Sequence, residues 1–240
     1  MGISEACPHA LQRFGDAFLR TYPYLRRYTD TEDLSDQRVL EIGLGYGTLG
    51  ELIASRTPRY HGVDIAGSPL AMMRYRLSGL DRADEGRLLQ ASVLALPYRD
   101  ASFDYVYSIG CLHHTGNLPQ AVSEVHRGLA SGGKSIVMLY NRYSFRRLVH
   151  IPLLALRQSL ARGPGPRSLA DRIRSLYDVN REGQAAPHTD FVSRRQVRPL
   201  FQQFSGIRIE NQNFDVIRRK HFLNNVARVL GLDLYVVAVK

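Results

Sequence analysis

Val39-Leu40-Glu41-Ile42-Gly43-Leu44-Gly45-Tyr46-Gly47 decides how this 240-residue chain is read, and Tyr60-His61-Gly62-Val63-Asp64 completes it. An apolar run ends in alternating glycines, and a helical pattern opens at once, from Thr48 to Ser55. That is a strand, a turn stripped of Cβ atoms and a helix N-terminus. Glycine lets the main chain take positive φ and lets a ligand lie against the backbone. Further on, a second short strand ends in Asp64, a carboxylate able to accept both hydroxyls of a ribose. Together the two segments propose a site for a nucleoside-containing cofactor.

The glycine spacing narrows the choice. In a dinucleotide fingerprint, G-x-G-x-x-G, the third glycine admits close helix packing and the helix N-terminus faces a pyrophosphate. Here the glycines stand at 43, 45 and 47 and position 48 is Thr, so that spacing is missed. The E-x-G-x-G-x-G form from Glu41 to Gly47 resembles motif I of the class I S-adenosylmethionine-dependent methyltransferases. In that family the glycine turn holds the methionine moiety, and a carboxylate after the second strand holds the ribose. The resemblance implies S-adenosylmethionine as cofactor, S-adenosylhomocysteine as product and Asp64 as the ribose acceptor.

Length and composition fit one α/β domain, or a domain with a modest insertion: 240 residues with 44% hydrophobic content support a real core and argue against disorder. Cys7 and Cys111 make neither a disulfide framework nor a metal cluster. No basic-then-apolar leader opens the chain, and its longest apolar run, Ile151 to Leu156, falls well short of the about 20 residues of a spanning helix. A soluble, cytoplasmic protein is expected. The net charge of +10 is uneven: residues 1–120 carry 12 basic and 14 acidic side chains, residues 121–240 carry 20 and 8. A basic surface for nucleic acid, anionic lipid or an acidic substrate is one reading. Compositional bias is the other, since 29 of the 32 basic residues are Arg.

Apolar runs bounded by turn signals alternate with helical periods, which predicts βαβ units and a mainly parallel sheet. A helical lead-in spans roughly 8–28, strands fall near 38–42, 60–63, 87–91, 103–108 and 134–140, and helices near 47–56, 68–78 and 118–130. Ser68-Pro69 reads as an N-cap with proline at the first helical position, Leu118-Pro119 opens the next helix similarly, and Gly132-Gly133 ends it. Ile207 to Phe214 and Leu234 to Val239 read as closing strands with a basic helical segment between them.

The resemblance extends through this order. Leu96-Pro97-Tyr98 with Asp100 and Ser102-Phe103-Asp104, then Cys111-Leu112-His113-His114, then Glu124 to Leu129 with Gly132-Gly133 are similar to landmarks of the ubiquinone/menaquinone-type methyltransferases. They cover about residues 38–140 and imply a Rossmann-like, seven-stranded, mainly parallel sheet with helices on both faces and its last strand antiparallel. The expected organisation is a helical lead-in (1–37), a cofactor-binding core (38–140), a cap or lid inserted after the fifth strand (141–206) and final strands completing the sheet (207–240). Two departures stand out. The family's Gly-Asp after the third strand, whose carboxylate accepts the adenine amino group, is Ala91-Ser92 here, and the proline before Gly-Gly is Ser131. A serine hydroxyl can accept the same hydrogen bond without charge assistance, which implies weaker cofactor binding.

Ligands of such sheets lie at the carboxyl ends of the strands. The expected cofactor residues are therefore Tyr22, Glu41, Gly43, Leu44, Gly45, Gly47, Asp64, Ile65, Ser92, Val93 and Gly110, with Tyr22 in a lead-in that closes over the cofactor in related enzymes. Methyl transfer from a sulfonium is an in-line displacement in which positioning supplies roughly 7–11 kcal/mol. A hydroxyl acceptor also gains from a base, and His suits that role. His113 and His114 follow the fourth strand at the expected methyl-transfer end. His188, in Ala186-Pro187-His188-Thr189-Asp190-Phe191, is the third candidate, on a segment where a lid would carry a polar finger. Phe145, Leu148, Val149, Pro152, Leu156 and Leu160 recur at helical spacing among arginines, as the underside of a cap or as an interfacial helix touching a membrane. Gly163-Pro164-Gly165-Pro166 breaks that helix.

Three functions follow in order: a methyltransferase acting on a small-molecule acceptor, an RNA or DNA methyltransferase using the basic second half, and a cofactor-binding module without turnover. The turn Ile109-Gly110-Cys111-Leu112-His113 is not the Pro-Pro-Tyr type used for base amines, and no aromatic stacking series accompanies the arginines.

Overall fold

The computed structural model describes residues 8–22, 24–29, 33–80, 87–160, 188–213 and 228–240. Among them, one sheet is built from β1 (Val39–Ile42), β2 (Tyr60–Asp64), β3 (Leu88–Gln90), β4 (Phe103–Ile109), β5 (Leu129–Asn141), β6 (Phe191–Val192), β7 (Gly206–Gln212) and β8 (Asp233–Val239). The helices are α1 (Pro8–Thr21), α2 (Arg26–Thr29), α3 (Thr48–Ala54), α4 (Gly67–Ser78), α5 (Leu118–Gly128), α6 (Ile151–Leu160) and α7 (Arg194–Leu200). The strand order is β3-β2-β1-β4-β5-β8-β7, parallel from β3 to β5, with β8 antiparallel to both its neighbours. The expected mainly parallel α/β sheet is present. Its strands run outward from β1 in both directions, so the crevice between the carboxyl ends of β1 and β4 is the switch point at which such sheets bind ligands.

Strand periodicity divides the core into two layers. Along β5, Ile136, Met138 and Tyr140 face one side, and Val137 and Leu139 the other. The first layer is covered by Leu49 and Ile53 of α3 and by Leu70, Met73 and Leu77 of α4; the second by Leu118, Ala121, Val122 and Val125 of α5 and Val197 of α7. Each such aliphatic side chain, once buried, contributes about 1.5–3 kcal/mol. Gly50 lets α3 approach β1 closely, since a Cβ there would stand 2.5 Å from both Glu41 Oε2 and the Tyr60 hydroxyl.

Several boundaries differ from expectation. The lead-in is not one helix: α1 stops at Thr21 and α2 starts at Arg26, the residue before a proline being driven out of the helical region. Ser68 is not a cap; α4 starts at Gly67, and Asp64 Oδ1 instead accepts the N–H of Ala66, its N-cap residue, at 2.9 Å. Asn117, rather than Leu118, caps α5, accepting from the Gln120 N–H at 3.2 Å with Pro119 in the first turn. Gly132 does not end that helix. It lies inside β5 at φ +75°, where the register on β4 jumps from Phe103↔Leu129 to Tyr105↔Lys134.

The expected seven strands become eight through β6, which pairs parallel with β5 at Tyr140↔Phe191 and Asn141↔Val192, just past the end of β4 at Ile109↔Met138. The segment read as cap therefore divides. Val192, Val197, Phe201 and Phe204 belong to the core of the domain, whereas α6 has no fully buried side chain among those described. Cys7, Pro23, the Gly163-to-Pro166 break, Pro187 and the basic stretch 214–227 lie outside the described residues.

Candidate active site

At the switch point, Gly43, Gly45 and Gly47 take φ of +81°, +51° and +73°, so the turn after β1 needs glycine for its backbone path. Space demands it as well at Gly43, where a Cβ would lie 2.4 Å from Cys111 Cβ and 2.7 Å from its Sγ. The turn after β1 is thus pressed against the turn after β4. Burial pushes the Cys111 thiol up to about 12, with the Asp64 carboxylate adding to the effect, which keeps it neutral where it packs against Gly43.

Asp64, at the end of β2, ties two turns together. Its Oδ2 accepts the Leu44 N–H at 2.9 Å and its Oδ1 the Ala66 N–H at 2.9 Å. A carboxylate has about four lone-pair sites, so two acceptor positions remain for hydroxyls at the partly exposed head of the side chain. Ile65 beside it is 71% exposed, an aliphatic surface at the mouth of the crevice. Val93 is buried at the end of β3, and Ser92 Oγ accepts the Leu94 N–H at 3.2 Å, capping the short turn that holds Val93. Gly110 sits at φ +78° directly after β4.

Glu41 is not at the open end of the turn. It lies fully inside, beneath α3, accepting from the Tyr60 hydroxyl at 2.5 Å, and burial raises its carboxyl to about 8. It shapes β1 from within. Tyr22 packs between Phe18 and Tyr24 at ring centroids of 5.0 and 6.2 Å. The lead-in is fastened further by Tyr24, whose hydroxyl donates to the buried Asp233 at 2.5 Å, and by Tyr28, which donates to Glu210 at 2.6 Å.

Arg76 has no counterpart among the residues read from sequence. Buried in α4, it donates through Nε to the Tyr46 carbonyl at 2.7 Å, pairs with Glu51, and reaches Thr48 Oγ1 and the Leu11 carbonyl at 3.3 and 3.4 Å. One guanidinium thereby fixes the glycine turn, α3 and α1 together. Its signal in the sequence was an arginine within the buried stripe Leu70–Met73–Leu77.

The histidines assemble at the ends of β4 and β5. His113, in the turn Leu112–His114, is fully buried, with its ring 4.3 Å from that of Tyr140 and 4.2 Å from that of His114. It is a packing member of the turn. His114 is partly exposed, and the returning chain meets it there. The Asp190 N–H donates to the His113 carbonyl at 2.7 Å, and the Arg142 N–H to the Val192 carbonyl at 2.9 Å. This seats the His188 carbonyl 2.9 Å and the Thr189 Oγ1 3.1 Å from His114 Nδ1. A carbonyl has no proton to give, so the contact is attractive only with a proton on Nδ1, which Thr189 Oγ1 can share as acceptor. The lone pair of the neutral ring then sits on Nε2. The His188 ring itself turns away, 48% exposed, onto Asp190 at 3.0 Å.

Part of the basic charge of the second half is engaged in the fold. Arg127 binds Glu124 and Asp100, Arg194 binds Asn211 at 2.8 Å, Lys240 Nζ donates to the Leu129 carbonyl at 2.8 Å, and Arg147 stacks on Phe191 at 4.1 Å.

This fold, with its glycine turn, its carboxylate at the end of β2 and its histidine turn, is the fold of the class I S-adenosylmethionine-dependent methyltransferases. Residues 40–137 match the family described as methyltransferase domain, Methyltransf_11. It is 33% identical over 104 residues to the demethylmenaquinone methyltransferase of Thermus thermophilus, covering 42% of this chain and 46% of that protein. It is 30% identical over 109 residues to phosphoethanolamine N-methyltransferase 2 of Caenorhabditis elegans, covering 44% and 24%. The chain thus spans less than half the length of these relatives. The crystal structure of an S-adenosylmethionine-dependent methyltransferase from Mesorhizobium loti superposes with TM-score 0.60 at 17% identity, over 92% of this chain and 98% of that one.

Proposed function

We propose that this chain methylates a hydroxyl of a small, largely apolar acceptor, with S-adenosylmethionine as donor and His114 as general base. When bound, the cofactor supplies a methyl group already activated by a positive sulfur. The residues present suit it: the Gly43 to Gly47 turn offers bare backbone to the methionine end, Asp64 has acceptor capacity for two ribose hydroxyls, and Ile65, Ser92 and Val93 border a place for the base, with Gly110 and Tyr22 at its edges.

The His114 ring carries this reading. With Nδ1–H held by the His188 carbonyl and Thr189, Nε2 is the basic nitrogen, in the turn after β4 whose Cys111 packs against Gly43. A base so placed takes the proton of an attacking hydroxyl, which an amine or carbanion acceptor would not require. The likeness to a demethylmenaquinone methyltransferase supports a flat apolar acceptor.

The test is turnover with S-adenosylmethionine against fractionated metabolite and lipid extracts, reading mass gains of one methylene with wild type and His114→Ala. Gains confined to hydroxyl-bearing compounds and lost in the variant support the reading. Equal gains in both proteins, or products methylated only on nitrogen, overturn the assignment of His114.

A further inference from the structure

The helix that follows β5 is apolar on the side it turns away from the domain. Of the nine large hydrophobic side chains exposed among the described residues, five lie between 143 and 160: Tyr143 at 54%, Leu148 at 50%, Leu153 at 48%, Leu156 at 54% and Leu160 at 74%. Leu148, Pro152, Leu156 and Leu160 follow one another at intervals of four, through the π-helical turn Arg146–His150 into α6, and Leu153 widens the stripe. Scattered exposed leucines are ordinary, but a continuous row along one helix is an interaction surface.

Its charge says what kind. Between Glu124 and Asp171 the sequence has no Asp or Glu and eight Lys or Arg. Arg142 is exposed ahead of the row and Arg157 is exposed within it, between Leu156 and Leu160. Two copies of this face would bring arginine against arginine with no carboxylate in this stretch of the sequence to pair them, so a second copy is disfavoured. A surface that is apolar within and anionic at its rim complements it: the leucines enter the acyl boundary while the arginine stems lie along it and their heads reach phosphate.

We propose that the face Leu148–Leu153–Leu156–Leu160, with Arg142 and Arg157, docks on an anionic lipid bilayer. The helix grows directly out of β5, and Arg147 of its first turn stacks on Phe191, whose ring lies beside Tyr140 at the histidine turn. Docking there sets the acceptor end of the domain against the membrane. The inference rests on the proposed function only for its purpose, a membrane-dissolved acceptor. Vesicle binding requires neither cofactor nor acceptor, so its failure is distinct from failure of the methyl-transfer reading.

The experiment is flotation of the full chain with vesicles of phosphatidylcholine alone or of phosphatidylcholine with phosphatidylglycerol. The expected result is recovery on the anionic vesicles about tenfold or more above the neutral ones at low salt, falling toward the neutral level at about 0.5 M salt. Leu153→Asp/Leu156→Asp should lower it about tenfold or more with an unchanged melting temperature and unchanged S-adenosylmethionine affinity. Equal recovery of wild type and double variant, or equal recovery on both vesicle types, overturns the proposal. So does absence of binding; a dimer in sedimentation equilibrium that Leu156→Asp abolishes then assigns the face to a second copy.

Discussion

The two ends of the candidate site are built at different ranges along the chain. At the cofactor end, Leu44 and Asp64 meet across 20 residues, within two adjacent strand-and-turn units. At the acceptor end, His114 meets the His188 carbonyl and Thr189 across 74 and 75 residues, after the chain has left the sheet and returned as β6. The first end is fixed by backbone geometry that neighbouring residues impose, the glycine φ values and the N–H groups that Asp64 gathers. The second depends on a two-residue strand docking beyond β4, so it is the part a local opening reaches first. On the proposed function, a donor end fixed by adjacent strands is thereby joined to an acceptor end completed by a distant segment.

Substitutions at the acceptor end should break this contrast most sharply. His114→Ala is expected to lower kcat by about 10²–10⁴-fold while S-adenosylmethionine affinity stays at the wild-type value, measured by steady-state kinetics and calorimetry. Arg76→Ala acts at the other end: losing a buried guanidinium that holds three segments should destabilise the fold by about 1–3 kcal/mol, read by urea denaturation, and weaken cofactor binding with it. Thr189→Val removes one of the two oxygens on His114 Nδ1. It should cost about 2- to 10-fold in kcat, with KM for the cofactor unchanged and activity rescued by Thr189→Ser.

The smallest effect concerns Glu41 and is seen in stability alone. Its folded-state pKa, about 8, lies above the ordinary 4.5, so between those values the folded protein holds a proton that the unfolded chain has released. Its contribution to stability is therefore full below about 4.5 and is lost as pH rises toward 8. Glu41→Gln keeps an acceptor for Tyr60 and cannot ionise. Thermal melts at pH 5, 7 and 9 (roughly spanning the window) should show wild type falling behind the variant as pH rises, and parallel curves would contradict it.

The same contrast explains what could be read in advance. The sheet, the glycine turn and Asp64 were legible because alternation, glycine spacing and a strand-terminal carboxylate are local signals. His113 and His114 were legible as a pair but not as different residues. Only the returning chain shows that one is walled in against Tyr140 and the other held at Nδ1 by His188 and Thr189. Glu41 belonged to the glycine motif yet points beneath α3, because a strand buried on both faces sends alternate side chains to opposite layers. β6 is two residues long, too short for any periodicity, and Arg76 resembled an ordinary helix arginine until its four acceptors were seen.

The central claim is that Asp64 and the glycine turn bind S-adenosylmethionine independently of the histidine turn. Calorimetric titration of S-adenosylmethionine into wild type, Asp64→Ala and His114→Ala tests it most directly. Loss of two charge-assisted hydrogen bonds predicts a Kd for Asp64→Ala raised about 10²–10⁴-fold, with His114→Ala indistinguishable from wild type. Unaltered binding in Asp64→Ala, or a matching loss in His114→Ala, would contradict it.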